Sequence, residues 1–198
     1  MTQETKKLEP ALNKSTMGIS EGLPLTVSEG GLEELRRDIQ RMMDMEAIKQ
    51  TKHAYFRCID TANWDELAVI CHSELKVHYI GGGYEYKMDG REVFLEAMKQ
   101  AFHSEAVGRH NGSMPEIQML SETEATGIWY LYDHFWSLNA NHLTHGTAIY
   151  WDRYLKIDGR WVISETRYRR IYQVNETLTE LPALSSHYLR DHGIKLSK

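Results

Sequence analysis

Residues 124–174 of the chain read EATGIWYLYDHFWSLNANHLTHGTAIYWDRYLKIDGRWVISETRYRRIYQV. This segment is rich in aromatic and β-branched residues, and its apolar and polar positions alternate, which is typical of strands. Asp158-Gly159 lies between two such runs and predicts a hairpin turn with positive φ. We therefore expect three long antiparallel strands, over residues 124–137, 144–157 and 161–174.

Upstream of this block, the apolar residues follow a helical period. From Leu32 they recur at steps of three and four residues, which predicts two helices or one bent helix that ends near Asp60. Asn63 followed by Glu66 resembles a capping box and predicts a short helix. An amphipathic helix is expected over residues 91–102. Shorter strands are expected as well, over residues 75–80 and 116–120.

An order of helices first and long antiparallel strands afterwards is typical of the α+β class and shows no βαβ alternation. We expect a cone, in which a strongly curved antiparallel or mixed sheet wraps around the N-terminal helices and leaves one mouth open. The domain is predicted to span residues 32–174. Residues 1–31 are interpreted as a loosely structured N-terminal extension, and residues 175–198 as a polar C-terminal tail.

Composition excludes several classes of function. The formal charge of -5 argues against a protein that binds a phosphate backbone, and no apolar run approaches the ~20 residues needed to cross a bilayer. Two cysteines are too few for a disulfide scaffold, and the first 20 residues lack the apolar segment of a secretory signal. We expect a cytoplasmic protein with neither nucleic acid nor membrane as its partner.

A metal site is not expected, although the chain has 10 histidines. The only close pair is His142 and His145, and residues three apart in a strand point to opposite faces. Motifs that cradle phosphates or expose a nucleophilic serine are also absent from the sequence.

Asp133 is the first candidate for a functional side chain. Strict alternation places it on one strand face with Trp129, Leu131 and Phe135. A carboxylate buried there alone would be costly, so we expect it to meet a cation, a hydrogen-bond donor or a ligand. The alternative is that this face is the outer one and that Asp133 is solvated.

The last strand presents arginines on both faces. Arg170 shares a face with Tyr168, whereas Arg167 and Arg169 share the other face. We expect one set to pair with surface acids and the other set to enter the cavity, and the pattern leaves open which is which.

Asp60 stands at the C-terminal end of a predicted helix, where the helix dipole disfavours an acid. Because Asn63 supplies the better cap, Asp60 is expected to serve a cation elsewhere. His110, expected to start a strand within the sequence GRHNG, is a candidate partner. On spacing alone, a histidine before glycine is more typical of a surface turn.

These stretches resemble the SnoaL-like families of the nuclear transport factor two-like superfamily, and among them most of all the bile acid 7α-dehydratases. The resemblance covers roughly residues 32–174. The matched stretches are residues 45–49, 55–60, 64–67, 110–117, 125–133, 156–161 and 165–172.

The resemblance implies an activity and a site. The activity is elimination of water from a 7α-hydroxy-3-oxo-Δ4 steroid, as a free bile acid, a coenzyme A thioester or another steroid, without a cofactor. His110 is the implied acid/base residue, and Tyr55, Asp60, Asp133 and Arg170 are the other implied catalytic residues. Tyr79, Trp129, Leu131 and Phe135 are assigned to substrate binding. The resemblance also implies a homo-oligomer, most simply a trimer.

The chemistry of these residue types agrees with an elimination, because histidine titrates near neutral pH and suits proton abstraction. Asp60 would fix its tautomer. Other reactions of the same cone stay open, namely ketosteroid isomerisation, polyketide cyclisation and dehydrohalogenation. A module that only binds a small ligand, with the aromatic residues serving as packing, also stays open.

Overall fold

Six strands form one mixed sheet in the computed structural model, which describes residues 10–196. In chain order the strands are β1 (Cys71–Ile80), β2 (Glu85–Asp89), β3 (Ala106–Met119), β4 (Glu124–Ser137), β5 (His142–Ile157) and β6 (Arg160–Thr177). Across the sheet their order is β2-β1-β6-β5-β4-β3. The pair β1–β6 is parallel and the other neighbouring pairs are antiparallel. The predicted α+β class with a mixed sheet is confirmed.

Strand β4 has the bounds that its alternation predicts, and β5 and β6 each extend the predicted runs by a few residues. Asp158 and Gly159 both have positive φ, 49° and 78°, as a tight hairpin turn requires. The strand expected from His110 and the strand expected over residues 116–120 are one strand, β3. Its register shifts between Ser113 and Glu116, and this irregularity hides its continuity in the sequence.

The helices are α1 (Lys14–Met17), α2 (Leu32–Asp60), α3 (Trp64–Ile70), α4 (Arg91–Ala101) and α5 (Tyr188–His192). The predicted helical stretch from Leu32 is one helix of 29 residues. Its second half lies against the inner face of the sheet and buries Ile48, Tyr55 and Ile59. In its first half the apolar side chains are exposed, for example Met42 at 71%.

Helix α2 is fixed to the β5–β6 hairpin by a buried carboxylate. Oδ1 of Asp44 accepts hydrogen bonds from Nζ of Lys156 at 2.7 Å, from Nε1 of Trp161 at 3.0 Å and from Nε2 of Gln40 at 3.2 Å. Since a buried carboxylate is stable only when its oxygens are satisfied, this contact fixes the helix to the end of the sheet remote from the mouth.

Part of the predicted loose extension is anchored to the sheet, so that expectation is corrected here for the described residues. Met17 and Ile19 are buried and pack against Ile128 and Ile149 on the outer face. The backbone N–H of Leu23 also donates to the carbonyl of Met119 at 2.7 Å. The physical reason is that β4 and β5 carry apolar side chains on the outer face, which the extension covers. Residues 1–9 of the extension lie outside the described residues.

The C-terminal segment crosses the surface of its own domain. Leu189 in α5 is buried, and Nε2 of His187 donates to the carbonyl of Ala106 at 3.0 Å. Residues 197–198 of the predicted tail lie outside the described residues. In the part of the chain that the structure describes, no helix is long and apolar enough to span a membrane.

The anchor predicts a change in stability. Replacing Met17 and Ile19 together by serine is expected to lower the free energy of unfolding by about 3 kcal/mol, since burying one such side chain contributes roughly 1.5–3 kcal/mol. Urea denaturation measures this change in the free energy of unfolding. The control is serine at Leu25 and Val27, which are 69% and 80% exposed and should change stability by less than about 0.5 kcal/mol. Equal effects of the two double variants would contradict the anchor.

Candidate active site

His110 and Asp60 form a hydrogen-bonded dyad. Nδ1–H of His110 donates to Oδ1 of Asp60 at 2.6 Å, and the backbone N–H of His110 donates to Oδ2 at 2.9 Å. The His110 side chain is 13% exposed, so the interpretation as a surface turn is wrong. Because the carboxylate only accepts, the proton stays on Nδ1, and Nε2 is the atom that can exchange a proton with a ligand. The acid at the end of α2 is explained by this partner.

Two glycines make room for the dyad. Gly108 and Gly112 flank His110 at two-residue spacing and lie on its strand face. A Cβ at Gly112 would lie 1.9 Å from the Phe56 ring, and one at Gly108 would lie 2.6 Å from the Phe102 ring. The centroids of these two rings lie 5.9 and 5.5 Å from that of His110. The glycines therefore allow two aromatic rings to fix the orientation of the imidazole.

Asp133 and Arg170 form a bidentate ion pair beside the dyad. Nη2 of Arg170 donates to Oδ2 of Asp133 at 2.6 Å, Nη1 donates to Oδ1, and both side chains are more than nine-tenths buried. Burial disfavours the guanidinium, but the hydrogen bonds and charge of Asp133 outweigh it and raise the pKa of Arg170. The small residues Gly146 and Ala148 lie between them on β5. Arg170 thus belongs to the inward-facing set, and the solvated alternative for Asp133 is wrong.

The opposite wall carries tyrosines. The hydroxyls of Tyr55 and Tyr79 lie 2.5 Å apart, and those of Tyr84 and Tyr168 are also hydrogen bonded. Burial raises the pKa of Tyr55 and of Tyr79 above the ordinary value, so both phenols stay protonated at neutral pH. One hydroxyl donates to the other, which leaves one O–H of the pair to donate to a ligand. Tyr55 and Tyr79 were expected from the sequence, whereas Tyr84, Tyr150 and Tyr168 were not. Tyr84 lies in the loop before β2, and Tyr150 and Tyr168 lie in β5 and β6, where an aromatic residue usually indicates core packing.

These groups line one cavity of about 510 Å³. Of the predicted site residues, Tyr55, Tyr79, His110, Asp133, Phe135 and Arg170 line it. Asp60 stands behind the imidazole and does not line it. The rim consists of neutral groups that include Gly82, Gly83, Thr144, Gln173 and Asn175.

Trp129 and Leu131 do not line the cavity, which corrects their assignment to substrate binding. Both are inward-facing, as predicted, but both are fully buried. Nε1 of Trp129 donates to the hydroxyl of Tyr154 at 3.0 Å, and its ring contacts His53 on α2. Helix α2 covers this part of β4, so the two side chains belong to the core beneath the cavity.

A buried ion pair that the sequence pattern does not indicate lies below the tyrosines. Nζ of Lys52 on α2 lies 2.8 Å from Oδ2 of Asp152 on β5, and neither side chain has any exposed surface. Oδ2 of Asp152 also accepts from the Tyr154 hydroxyl at 2.8 Å. The sequence does not indicate that Lys52 is buried, because a lysine in a charged helix usually lies on the solvated face of that helix. Within residues 10–196, no group of three or more His, Cys, Asp or Glu side chains is arranged to hold a metal ion.

Comparison with known proteins shows to which family a chain with this arrangement belongs. The model of the SnoaL-like domain family matches residues 40–167, which include every catalytic candidate except Arg170. The chain belongs to this family.

Solved structures share the fold of this SnoaL-like chain. A hexachlorocyclohexane dehydrochlorinase of type 2 superposes with a TM-score of 0.63 at 18% identity, over 74% of this chain and 99% of that chain. The type 3 enzyme from Novosphingobium barchaimii LL02 gives 0.61 at 19% identity, over 73% and 99%. A provisionally named scytalone dehydratase from Novosphingobium aromaticivorans DSM 12444 gives 0.59 at 20% identity, over 68% and 89%. At these identities the likeness shows the cone fold.

The role of Gly112 in this SnoaL-like site is testable. In Gly112→Ala the new methyl overlaps the Phe56 ring, so we expect a loss of about 1–3 kcal/mol in the free energy of unfolding, as for other overpacked cores. We also expect a shifted NMR resonance of the His110 ring. The control is Gly83→Ala, where nothing lies within 4 Å of the added methyl and φ is not positive. A Gly112→Ala protein as stable as this control would contradict the packing role.

Proposed function

We propose that the protein is a cofactor-independent carbon–oxygen lyase that eliminates water from a 7α-hydroxy-3-oxo-Δ4 steroid. The natural substrate would be a free bile acid, its coenzyme A thioester or a related steroid. The observation that carries the proposal is the His110–Asp60 dyad facing the same cavity as a pair of protonated tyrosines. An elimination next to an enone needs two groups in one cavity, a base that removes the proton and a hydrogen-bond donor to the carbonyl oxygen.

The first chemical task is proton abstraction. The γ-proton of a 3-oxo-Δ4 system is acidic because its loss gives a dienolate. Nε2 of His110 would take this proton, and Asp60 would stabilise the imidazolium that forms. The imidazolium then has a proton to return to the departing 7-hydroxyl, so that water leaves and no external acid is consumed.

The second task is stabilisation of the dienolate oxygen. The Tyr55–Tyr79 pair supplies hydroxyl donors in a buried place, where donation to developing negative charge is strongest. The Asp133–Arg170 pair adds a fixed dipole beside the dyad. The division of roles between the tyrosine pair and Arg170 follows from how the steroid lies in the cavity.

The shape of the cavity supports a steroid. Its volume of about 510 Å³ lies within the ~300–1,000 Å³ of ligand pockets. Eight of the residues that line the cavity are tyrosine or phenylalanine, and Phe102 and Phe135 are in contact at 5.4 Å between centroids. A rigid apolar ligand with a few oxygens suits this lining.

A second candidate is dehydrohalogenation in the same cone. The fold shared with dehydrochlorinases favours it, since such an elimination also starts with removal of a proton. Dehydrohalogenation needs no hydrogen-bond donor to a carbonyl oxygen, so the Tyr55–Tyr79 pair would have no role in that reaction. Release of chloride from a chlorinated cyclohexane would identify this alternative.

Two further proposals concern the state of the protein. A homo-oligomer, most simply a trimer, is supported by large exposed side chains on the outer face of β4, Tyr130 and Tyr132. A cytoplasmic location is supported by Cys58 and Cys71, which are both unpaired.

Substrate class is tested by absorbance. Addition of the purified protein to a 7α-hydroxy-3-oxo-Δ4 steroid is expected to give a longer conjugated dienone, whose absorption lies at longer wavelength. The 7-deoxy steroid serves as the control and should bind without this change. If 3-oxo-Δ4 steroids neither bind nor react while small acyclic hydroxy acids do, the proposed function is wrong.

Mechanism is tested at the dyad. His110→Ala is expected to lower kcat by about 10²–10⁴, the usual contribution of general acid/base catalysis. Asp60→Asn should lower kcat more than it changes KM, and the double variant should be far less than multiplicatively impaired. The control is His78→Ala, because His78 also contacts a carboxylate, Glu85 at 2.8 Å, away from the cavity. Unchanged turnover by folded His110→Ala protein would remove His110 from the mechanism.

A further inference from the structure

The buried pair Lys52–Asp152 lies beneath the cavity and does not line it. Desolvation lowers the pKa of Lys52, and the charge of Asp152 opposes this shift. Replacing a buried ion pair by apolar residues is often neutral or stabilising. The stability of the fold alone therefore gives no reason for two charges at this place.

The surroundings of Lys52 suggest what the charge does. Its Nζ lies 3.9 Å from the ring centroid of Tyr150, 4.4 Å from that of Tyr55 and 5.0 Å from that of Phe56. An ammonium at this distance from a ring face interacts with the ring electrons. The Tyr55 hydroxyl contacts Tyr79 in the cavity wall, and the Phe56 ring stacks on His110. The Lys52 ammonium thus contacts the ring of Tyr55 and the ring of Phe56, which stacks on His110.

We propose that Lys52 is a positioning residue for the elimination, whose ammonium acts through the Tyr55 ring to strengthen hydrogen-bond donation by the Tyr55–Tyr79 pair. This inference rests on the proposed function. As the dienolate forms, its oxygen draws the Tyr55–Tyr79 protons and negative charge grows on the phenol oxygens. A positive charge at the ring face stabilises that charge. Asp152 keeps the lysine in place.

Lys52→Met alone cannot separate this role from a structural one, because it leaves Asp152 buried without a partner, which is strongly destabilising. The double variant Lys52→Met/Asp152→Asn removes both charges and keeps an acceptor for Tyr154. We expect it to fold and to lose about 10–30-fold in kcat with KM nearly unchanged, which is less than the ~10²–10³ lost with a whole oxyanion donor. Lys52→Gln, which keeps a donor opposite Asp152, is a second way to remove the cation.

A matched control exists at the closed end of the cone. Lys156 and Asp44 form an ion pair between the same helix and strand at 2.7 Å, with the Lys156 side chain 21% exposed. Lys156→Met/Asp44→Asn is expected to leave kcat unchanged. Equal losses in the two double variants would assign the effect of Lys52 to general loosening of α2 and would overturn the proposal.

A double-mutant cycle tests whether Lys52 acts through the Tyr55 hydroxyl. In a Tyr55→Phe background, removing the Lys52–Asp152 charges should change kcat by less than about twofold, because the hydroxyl through which Lys52 acts is gone. Wild-type kcat in the folded double variant overturns the proposal. An undiminished loss in the Tyr55→Phe background overturns it as well.

A measurement without ligand separates this inference from the proposed function. In protein with ¹³C-labelled tyrosine, the Cζ resonance of Tyr55, assigned with Tyr55→Phe, should move upfield in Lys52→Met/Asp152→Asn while that of Tyr84 stays in place. An unmoved Tyr55 resonance overturns the inference, whereas no steroid turnover by the wild type refutes only the proposed function. If neither Lys52 variant folds, the pair serves the fold alone and the inference is wrong.

Discussion

Three polar contacts fix helix α2 against the sheet, and the rest of the structure depends on them. Asp44, Lys52 and Asp60 are eight residues apart, and they meet Trp161, Asp152 and His110 respectively. Eight residues are about 2.2 helical turns, so successive contacts rotate around the helix. This rotation follows the twisted sheet from the β5–β6 hairpin to β5 and then to β3. A helix displaced by one residue would leave all three partners unsatisfied.

The same constraint makes the site. Because Asp60 is the last contact, the helix ends where the cone opens, and its carboxylate reaches the backbone and the ring of His110 together. Strand β4 then sets the distance between His110 and Asp133, since these two residues are Cα partners across β3 and β4. The ion pair with Arg170 follows from the same register. The geometry of the candidate site is therefore a consequence of strand pairing plus one helix length.

Sequence patterns predict the parts of this arrangement that depend on local periodicity. The bounds of β4 and the face that Asp133 shares with Trp129 follow from strict alternation. The unfavourable place of an acid at a helix end predicts that Asp60 has a partner elsewhere, but spacing alone does not identify that partner as His110. Strand β2 was missed because most of its five positions are exposed and carry no alternation. Alternation gives the face of Trp129 but not its depth, and depth decides whether a side chain lines the cavity. Lys52 was missed because its partner is 100 positions away along the chain.

Two pairs of opposite charges lie at or beneath the cavity, Arg170 with Asp133 and Lys52 with Asp152, whereas Asp60 stands behind the His110 ring and does not line the cavity. The two compensated pairs present little net field to a neutral apolar ligand, so we expect its binding to depend on shape and aromatic contact. Under the proposed function, charge separates when His110 removes a proton and negative charge grows on the ligand oxygen. The imidazolium would then face Asp60, and the oxygen would face protonated tyrosines. The proposed mechanism would thus favour the charge distribution of the transition state over that of the bound substrate, which is the requirement for catalysis.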